Sequence, residues 1–365
     1  MRILYVASVS YAGMLPYASS IINAMKHHDV YCVLVNSKYG DYKSSIDQDL
    51  LERCYFIDQY NSSILLNLEF VFPFRVSKLI EKVCDIHAIS NIHFLTSDNT
   101  LSQFIYKRNI KYNFYYTVHD LVQHEEKVSF FLGLKRRIAH QRFSKIRSIV
   151  YFLSTNSWAQ FSQLKNMYPN KDVRHFKFPT LVTSSIKSGT RILPELVNVD
   201  NYILFFGRIE KYKGLDILLD AYCSNIELAN KSKLVIAGRG RLDFDQSNDN
   251  IIFINRYIYD EEIASLFQNS YCTIYPYRSA TQSGVLSLSY YFGKPVIVSN
   301  IPFFKENVLE GVTGFSFVNG DSKKLGNAIN TLQCSKDMST IAIKKYYDNL
   351  YSQDSLQESL ESLYV

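Results

Sequence analysis

Two α/β domains, each a doubly wound parallel sheet, are what this sequence predicts. Three observations point there. Short apolar runs alternate with helix-like segments over almost all of the 365 residues. The runs are continuously apolar, as strands covered on both faces must be. The rhythm breaks once, at "PTLVTSSIKSGTRILPELVNVD" (179–200), which has two prolines, a Ser/Thr/Gly cluster and little periodicity.

In chain order, "RILYVAS", "VYCVLVN", "CYFID", "NIHFLT", "NFYYTV", "SIVYFLS" and "VRHFKF" read as the strands of the first domain. Helical spacing marks "MLPYASSIINAMKHH", "FRVSKLIEKVCDI" and "FFLGLKRRIAHQRF" between them. After the break, "YILFF", "KLVIAG", "IIFIN", "YCTIYPY" and "KPVIVS" are the strands, with helices over about 214–226, 260–269, 283–292 and 321–333. The expected division is 1–180 for the first domain, 181–200 for a linker and 201–340 for the second. The polar helical stretch at the end, 341–365, is a candidate to pack back on the first domain. Two such domains on one linker suggest a cleft, a common place for a ligand.

Composition narrows the class. An apolar share of 47% with 20% charged residues is that of a soluble globular protein, and no run approaches the roughly 18 apolar residues of a membrane span. The opening "MRILYVASVSYAG" fits a first buried strand better than a signal peptide, because Ser8 and Ser10 break its apolar run. Six cysteines without CxxC pairs or clustered histidines fit a reducing compartment and argue against a zinc site. A cytoplasmic protein is expected. Net charge is +6, densest in "KRRIAHQRFSKIR" (135–147), with six Lys/Arg and no acid. That stretch reads either as a solvated helix face or as a surface that docks on anionic lipid. The segment 63–80, "SILLNLEFVFPFRVSKLI", is a second candidate surface, although core packing explains it more cheaply.

Chemistry concentrates in the second half. In open α/β sheets ligands collect outside the carboxyl ends of strands. Arg208 and Lys213 follow the strand "YILFF", and Leu215, Leu218, Leu219 and Tyr222 then open a helix at Gly214. Arg offers a planar fork for phosphate oxygens and Lys a compact charge, yet two cations alone fit surface residues equally well. In "YPYRSATQSGVLSLSYYFGKPVIVSN" (275–300), Gln282, Ser283 and Gly284 fall where a helix should start, and small residues there would let phosphate approach backbone amides. "ENVLEGVTGFSF" adds Glu306 and a Gly-containing turn.

"GRIEKYKGLD", "LVIAGRGR", "RYIYDEEIASLF", "YRSATQSGVLSLSYYFGKPVI" and "ENVLEGVTGF", in this order and spacing, resemble the second domain of family 4 (group 1) glycosyltransferases. "TVHDLVQHEEK" (117–127) is similar to a first-domain motif of the same family. The resemblance covers most of the chain. It implies the GT-B fold, two Rossmann-like domains facing across a cleft, with a nucleotide-sugar donor held by the second and a glycan acceptor by the first. It also implies a retaining reaction without metal or other cofactor. By that carry-over, Arg208 and Lys213 hold the donor diphosphate, whose growing negative charge prepositioned cations stabilise. The backbone around Arg256, Tyr257 and Ile258 receives the base. Gln282, Ser283, Gly284 and Val285 contact phosphate or sugar, with Glu306 nearby. His119 faces the donor sugar, although a lone His at a strand end is more often structural. Tyr11 and Gly13 sit on the acceptor side. Many family members carry two glutamates eight residues apart in this region; those positions are Ala280 and Leu288 here, so that assignment does not transfer.

The resemblance further implies a hexosyltransferase of bacterial surface polysaccharide (O-antigen, lipopolysaccharide or capsule) at the inner face of the membrane. Other readings fare worse. Asp47-Gln48-Asp49 and Asp243-Phe244-Asp245 resemble a metal motif but lie in polar segments without its architecture. No GxGxxG follows a strand and no GxSxG elbow is present. No recognition module for nucleic acid accompanies the basic stretch, and no pyridoxal-phosphate lysine site for a phosphorylase is identifiable. The serious competitor is a catalytically weak or inactive sugar-nucleotide-binding protein on the same fold.

Overall fold

The structure, a computed structural model, describes residues 2–10, 13–96, 101, 104, 111–119, 130–241, 248–334 and 338–365, with residues 71, 130–136, 139, 226, 227 and 334 by main chain alone. It forms two compact units: Met1–Pro179 together with Gln353–Val365, and Thr180–Ser352.

The first unit runs β1 (Ile3–Ala7), α1 (Met14–Ala24), β2 (Val30–Asn36), β3 (Cys54–Asp58), α2 (Ser63–Val71), α3 (Phe74–His87), β4 (Asn91–Phe94), β5 (Asn113–Thr117), α4 (Phe130–Ile149), β6 (Val150–Thr155), α5 (Trp158–Met167) and β7 (Val173–His175). Its seven strands lie in the order β3-β2-β1-β4-β5-β6-β7, all pairs parallel. β1 is buried at all five positions, which is why its sequence does not alternate. One face packs Leu4, Val6, Val33, Phe94 and Phe114 against Val76, Ile80 and Val83 of α3. Those three sit at i, i+4 and i+7 and draw the apolar stripe of an amphipathic helix.

The second unit contains α6 (Ser184–Ser188), β8 (Tyr202–Phe206), α7 (Leu215–Cys223), α8 (Ile226–Lys231), β9 (Leu234–Ala237), β10 (Ile251–Ile254), α9 (Asp260–Gln268), β11 (Ser270–Tyr275), α10 (Val285–Tyr291), β12 (Val296–Ser299), α11 (Pro302–Asn307), β13 (Gly314–Phe317), α12 (Ser322–Cys334) and α13 (Thr340–Tyr351). The sheet order is β10-β9-β8-β11-β12-β13, again all parallel. β13 exceeds the expectation of five strands: "GFSF" is only four residues long and follows a glycine turn, so its pairing with β12 leaves no local mark. In both sheets the strand order reverses once, between β1 and β4 and between β8 and β11. At such reversals the helices leave to opposite faces and open a crevice at the carboxyl edge.

Two segments differ from their sequence reading. Residues 181–200, expected to link domains, belong to the second unit: Val182, Ile186, Leu193 and Leu196 join Tyr202, Val235 and Ile263 in its core. Thr183 caps α6 and donates to Asp260 at 2.7 Å. The polar end is not one helix. It turns at Ser352, where the backbone becomes extended, and α14 (Gln353–Glu361) follows. α14 packs on the first unit, with Glu361 bound to His28 at 2.8 Å and the Ser359 hydroxyl accepting from the Lys177 amide at 3.0 Å. The Tyr364 hydroxyl reaches His93 Nδ1 and lies 3.1 Å from that of Tyr5, while His93 Nε2 meets Thr117 at 2.9 Å. Burial lowers the His93 pKa to about 3, so the ring is neutral and fixes the chain end without introducing charge. Among the described residues no helix is long and apolar enough to cross a membrane.

Candidate active site

The second unit's crevice is built by two strand ends. β8 stops at Gly207, whose φ of +136° only glycine holds without strain. A single 3-10 turn, Lys211–Lys213, then reverses the chain into α7. Gly214 makes that reversal possible: its φ is +66°, and a Cβ there would stand 2.0 Å from the Pro276 carbonyl oxygen. The loops after β8 and β11 are therefore in backbone contact, tied also by the Arg278 amide donating to the Tyr212 carbonyl at 2.7 Å.

This contact places Lys213 beneath the end of β8. It is 8% exposed, and a Cβ on Gly207 would lie 2.8 Å from its Nζ. The ammonium donates to the Tyr277 hydroxyl at 3.1 Å and lies 4.9 Å from the centroid of that ring. Burial, and then the nearby Arg208 guanidinium, lower the Lys213 pKa to about 8, with Glu210 partly offsetting them. Arg208 is the outer cation, 59% exposed at its side chain and paired with Glu210 at 2.8 Å. Tyr277 is buried, which pushes its phenol well above the ordinary range, and it also bonds Ser283. The result is a desolvated ammonium, an exposed guanidinium paired with Glu210, and a neutral phenol–serine pair at one strand reversal: two cations against one carboxylate.

Tyr277 and Glu210 were missed in the sequence. "YCTIYPY" reads simply as strand, and the tyrosine's part depends on β11 lying beside β8.

The Arg256 guanidinium is consumed by the protein: it pairs with Glu262 at 2.8 and 3.0 Å, with Glu195 at 3.1 Å, and donates to the Tyr257 carbonyl at 3.0 Å. It thus stiffens the loop 256–258, in which Tyr257 is exposed and Ile258 buried. Gly284 is tight for an internal reason. A Cβ there would fall 1.9 Å from Leu181 Cδ1, so its missing side chain makes room for the chain entering the unit. Val285 is buried as the first residue of α10, while Gln282 and Ser283 are half-buried. Leu288, at one of the two glutamate positions, lies in the core with Val182 and Ile186. Glu306 is exposed on α11, which follows β12 at the same edge of the sheet.

In the first unit the reversal between β1 and β4 is closed by Thr96, whose hydroxyl accepts from the Ser8 and Val9 amides at 2.9 and 3.2 Å. His119, two residues beyond β5, donates from Nε2 to the Leu95 carbonyl at 2.6 Å, and Tyr17 of α1 meets its ring edge-on at 4.8 Å. Gly13, φ +86°, starts α1. Tyr11, residues 120–127 and Asp243 to Asp245 lie outside the described residues. Asp47 holds Lys26 at 3.1 Å. Among the described residues no three His, Cys, Asp or Glu gather as metal ligands would.

Two doubly wound parallel α/β units define the class by fold, and comparison with known proteins narrows it. Residues 200–334 match the family Glycosyl transferases group 1. Over 178 residues the chain is 26% identical to the capsular polysaccharide biosynthesis glycosyltransferase CapM of Staphylococcus aureus, covering 45% of this chain and 46% of that one. It thus spans about half the length of this curated relative. Among solved structures it is similar to Anabaena HepE in complex with UDP and glucose (TM-score 0.67, 19% identity, 100% of this chain and 99% of that one). Sucrose-phosphate synthase of Thermosynechococcus elongatus superposes with a TM-score of 0.72 at 14% identity, covering 100% and 98%. WaaG, a glycosyltransferase involved in lipopolysaccharide biosynthesis, gives 0.59 at 12%, covering 99% and 98%. The fold is the two-domain α/β GT-B fold.

Proposed function

We propose that the chain is a retaining, metal-independent glycosyltransferase that moves a hexose from a nucleoside diphosphate to a glycan acceptor in bacterial surface polysaccharide synthesis. The observation that carries this is Lys213: a buried ammonium, destabilised by desolvation and by Arg208, at the strand reversal where the fold class takes its ligands. An anion is the partner that relieves it. HepE, which shares the fold, has been solved with UDP and with UDP-glucose, and CapM acts in capsular polysaccharide biosynthesis, which supports a nucleotide-sugar donor and a glycan product.

In this reading the bond from the sugar's anomeric carbon to the diphosphate breaks and one to the acceptor oxygen forms on the same face. The acceptor proton leaves with the diphosphate. Lys213 and Arg208 hold the leaving group, and their attraction to it grows as its charge develops. The two cations supply the charge a metal supplies elsewhere. The phenol of Tyr277 orients Lys213, the stiffened loop 256–258 offers main-chain groups to the base, and Gln282, Ser283 and Glu306 line the sugar side. His119, held by Leu95 and Tyr17, hydrogen-bonds sugar or acceptor. A cytoplasmic location, at the inner membrane face, suits a lipid-linked acceptor.

One observation favours a second reading, a sugar-nucleotide-binding protein without turnover: Leu288 is buried in the core where family members carry a glutamate. Thermal-shift screening of nucleotide sugars, then product analysis with the best donor, separates the two. Transfer with retained anomeric configuration supports the proposal. Tight binding with neither transfer nor hydrolysis refutes it.

A further inference from the structure

The segment 63–80 divides into two parts that behave oppositely. Beyond Pro73, α3 buries Val76 and Ile80 in the first unit's core. Before it, residues 63–68 of α2 are all exposed, with Ile64 at 71% and Leu68 at 52%, and Phe72 and Phe74 follow at 54% and 56% with their rings stacked. A nine-residue helix with most of its described apolar residues in water gains little from packing and is marginal alone. This one is held by its neighbours. Arg142 of α4 donates to the Phe70 carbonyl at 2.8 Å and lies over the Phe70 ring, and Arg75 pairs with Glu69 at 3.3 Å. The helix that holds it, α4, has six Lys/Arg and no acid in its sequence, with Arg137 and Lys145 exposed.

We propose that α2 and residues 72–74 form a surface that enters the headgroup region of an anionic phospholipid bilayer, with α4 supplying the attraction. Stable association with a membrane takes two signals, such as an apolar insertion and a basic patch, and here one hydrogen-bonded contact joins them. Charge selects this occupant. A second copy would bring its own basic α4 against the first, which like charges oppose. The proposal deepens the functional reading, because a lipid-linked acceptor resides in a bilayer.

Sedimentation of the full chain with phosphatidylcholine vesicles, with and without phosphatidylglycerol, tests it. Binding is expected to be at least about tenfold stronger with phosphatidylglycerol and to weaken as salt rises. Leu68→Asp with Phe72→Asp should lower binding about tenfold or more, and Lys145→Glu by a smaller factor. Circular dichroism and melting check the fold; if the double variant fails to fold, Ile64→Asp replaces it at the most exposed position. Absence of vesicle binding by the wild-type chain overturns the proposal, as does undiminished binding by the folded α2 variants. So does a dimer in solution that the same variants dissolve, since the surface then serves a second copy. Transfer to a short water-soluble acceptor is measured separately. Transfer without vesicle binding removes only this surface, and vesicle binding without transfer removes only the enzyme.

Discussion

Replacing Lys213 by methionine should stabilise the ligand-free protein while disabling it. The side chain is 8% exposed, and methionine retains most of its volume. Lowering a lysine from 10.5 to about 8 corresponds to ~3 kcal/mol against the charged form. Part of that gain is lost with the 3.1 Å bond to Tyr277, whose hydroxyl keeps Ser283, so a net ~1–3 kcal/mol is expected. For a unit of this size that raises the melting temperature by roughly 2–12 °C. The sign with pH follows from the lowered value. Between about pH 8 and 10.5 the unfolded chain holds the proton more tightly than the fold does, so wild-type stability rises with pH through that window. The advantage of Lys213→Met should therefore be full at pH 7 and fall below ~1 kcal/mol at pH 10. Calorimetry of both proteins at the two pH values, without ligand and with a nucleoside diphosphate, provides the measurement. The diphosphate should stabilise the wild type more than the variant. A variant that melts below wild type at pH 7, or whose advantage is equal at pH 10, would refute the reasoning.

Arg208→Ala should reduce turnover by about 10²-fold or more while shifting stability by under ~0.5 kcal/mol, since its exposed pair with Glu210 contributes little; near-normal kcat would remove it from the site. Log kcat/KM should bend downward above about pH 8 as Lys213 loses its proton, and Tyr277→Phe, which removes the phenol oxygen, should move that bend to lower pH; an unmoved bend separates the pair. Gly214→Ala forces a Cβ against the Pro276 carbonyl at φ +66° and should destabilise the second unit by ~2 kcal/mol or more and weaken the diphosphate thermal shift; a variant as stable as wild type contradicts the geometry. His119→Ala should lower transfer with little loss of donor binding, and full activity excludes the histidine.

What could be read from the sequence was whatever the chain encodes over short range. "YILFF" and "VYCVLV" are strands because their residues run apolar without alternation, and α3 is a helix because Val76, Ile80 and Val83 recur at its pitch. The order of motifs then carried the resemblance to the group 1 family, and with it Arg208 and Lys213 as a pair. Readings that assumed an environment fared differently. Residues 181–200 look like a linker because their apolar positions have no period, yet those positions fill a core already shaped by β8, β9 and α9.

The sequence by itself therefore determined two α/β units and two cations after β8. Only the tertiary structure decided what surrounds them. Periodicity is local, whereas the neighbour of β8 is β11, some seventy residues away, and that pairing brings Tyr277 to Lys213 and removes the lysine from water. The same long-range packing spends Arg256 on Glu262 and Glu195, gives the space at Gly284 to Leu181, and leaves α2 outside the core that claims α3. A residue's type states what it can do; whether water, a carboxylate or nothing meets it is settled by chain segments far from it in sequence.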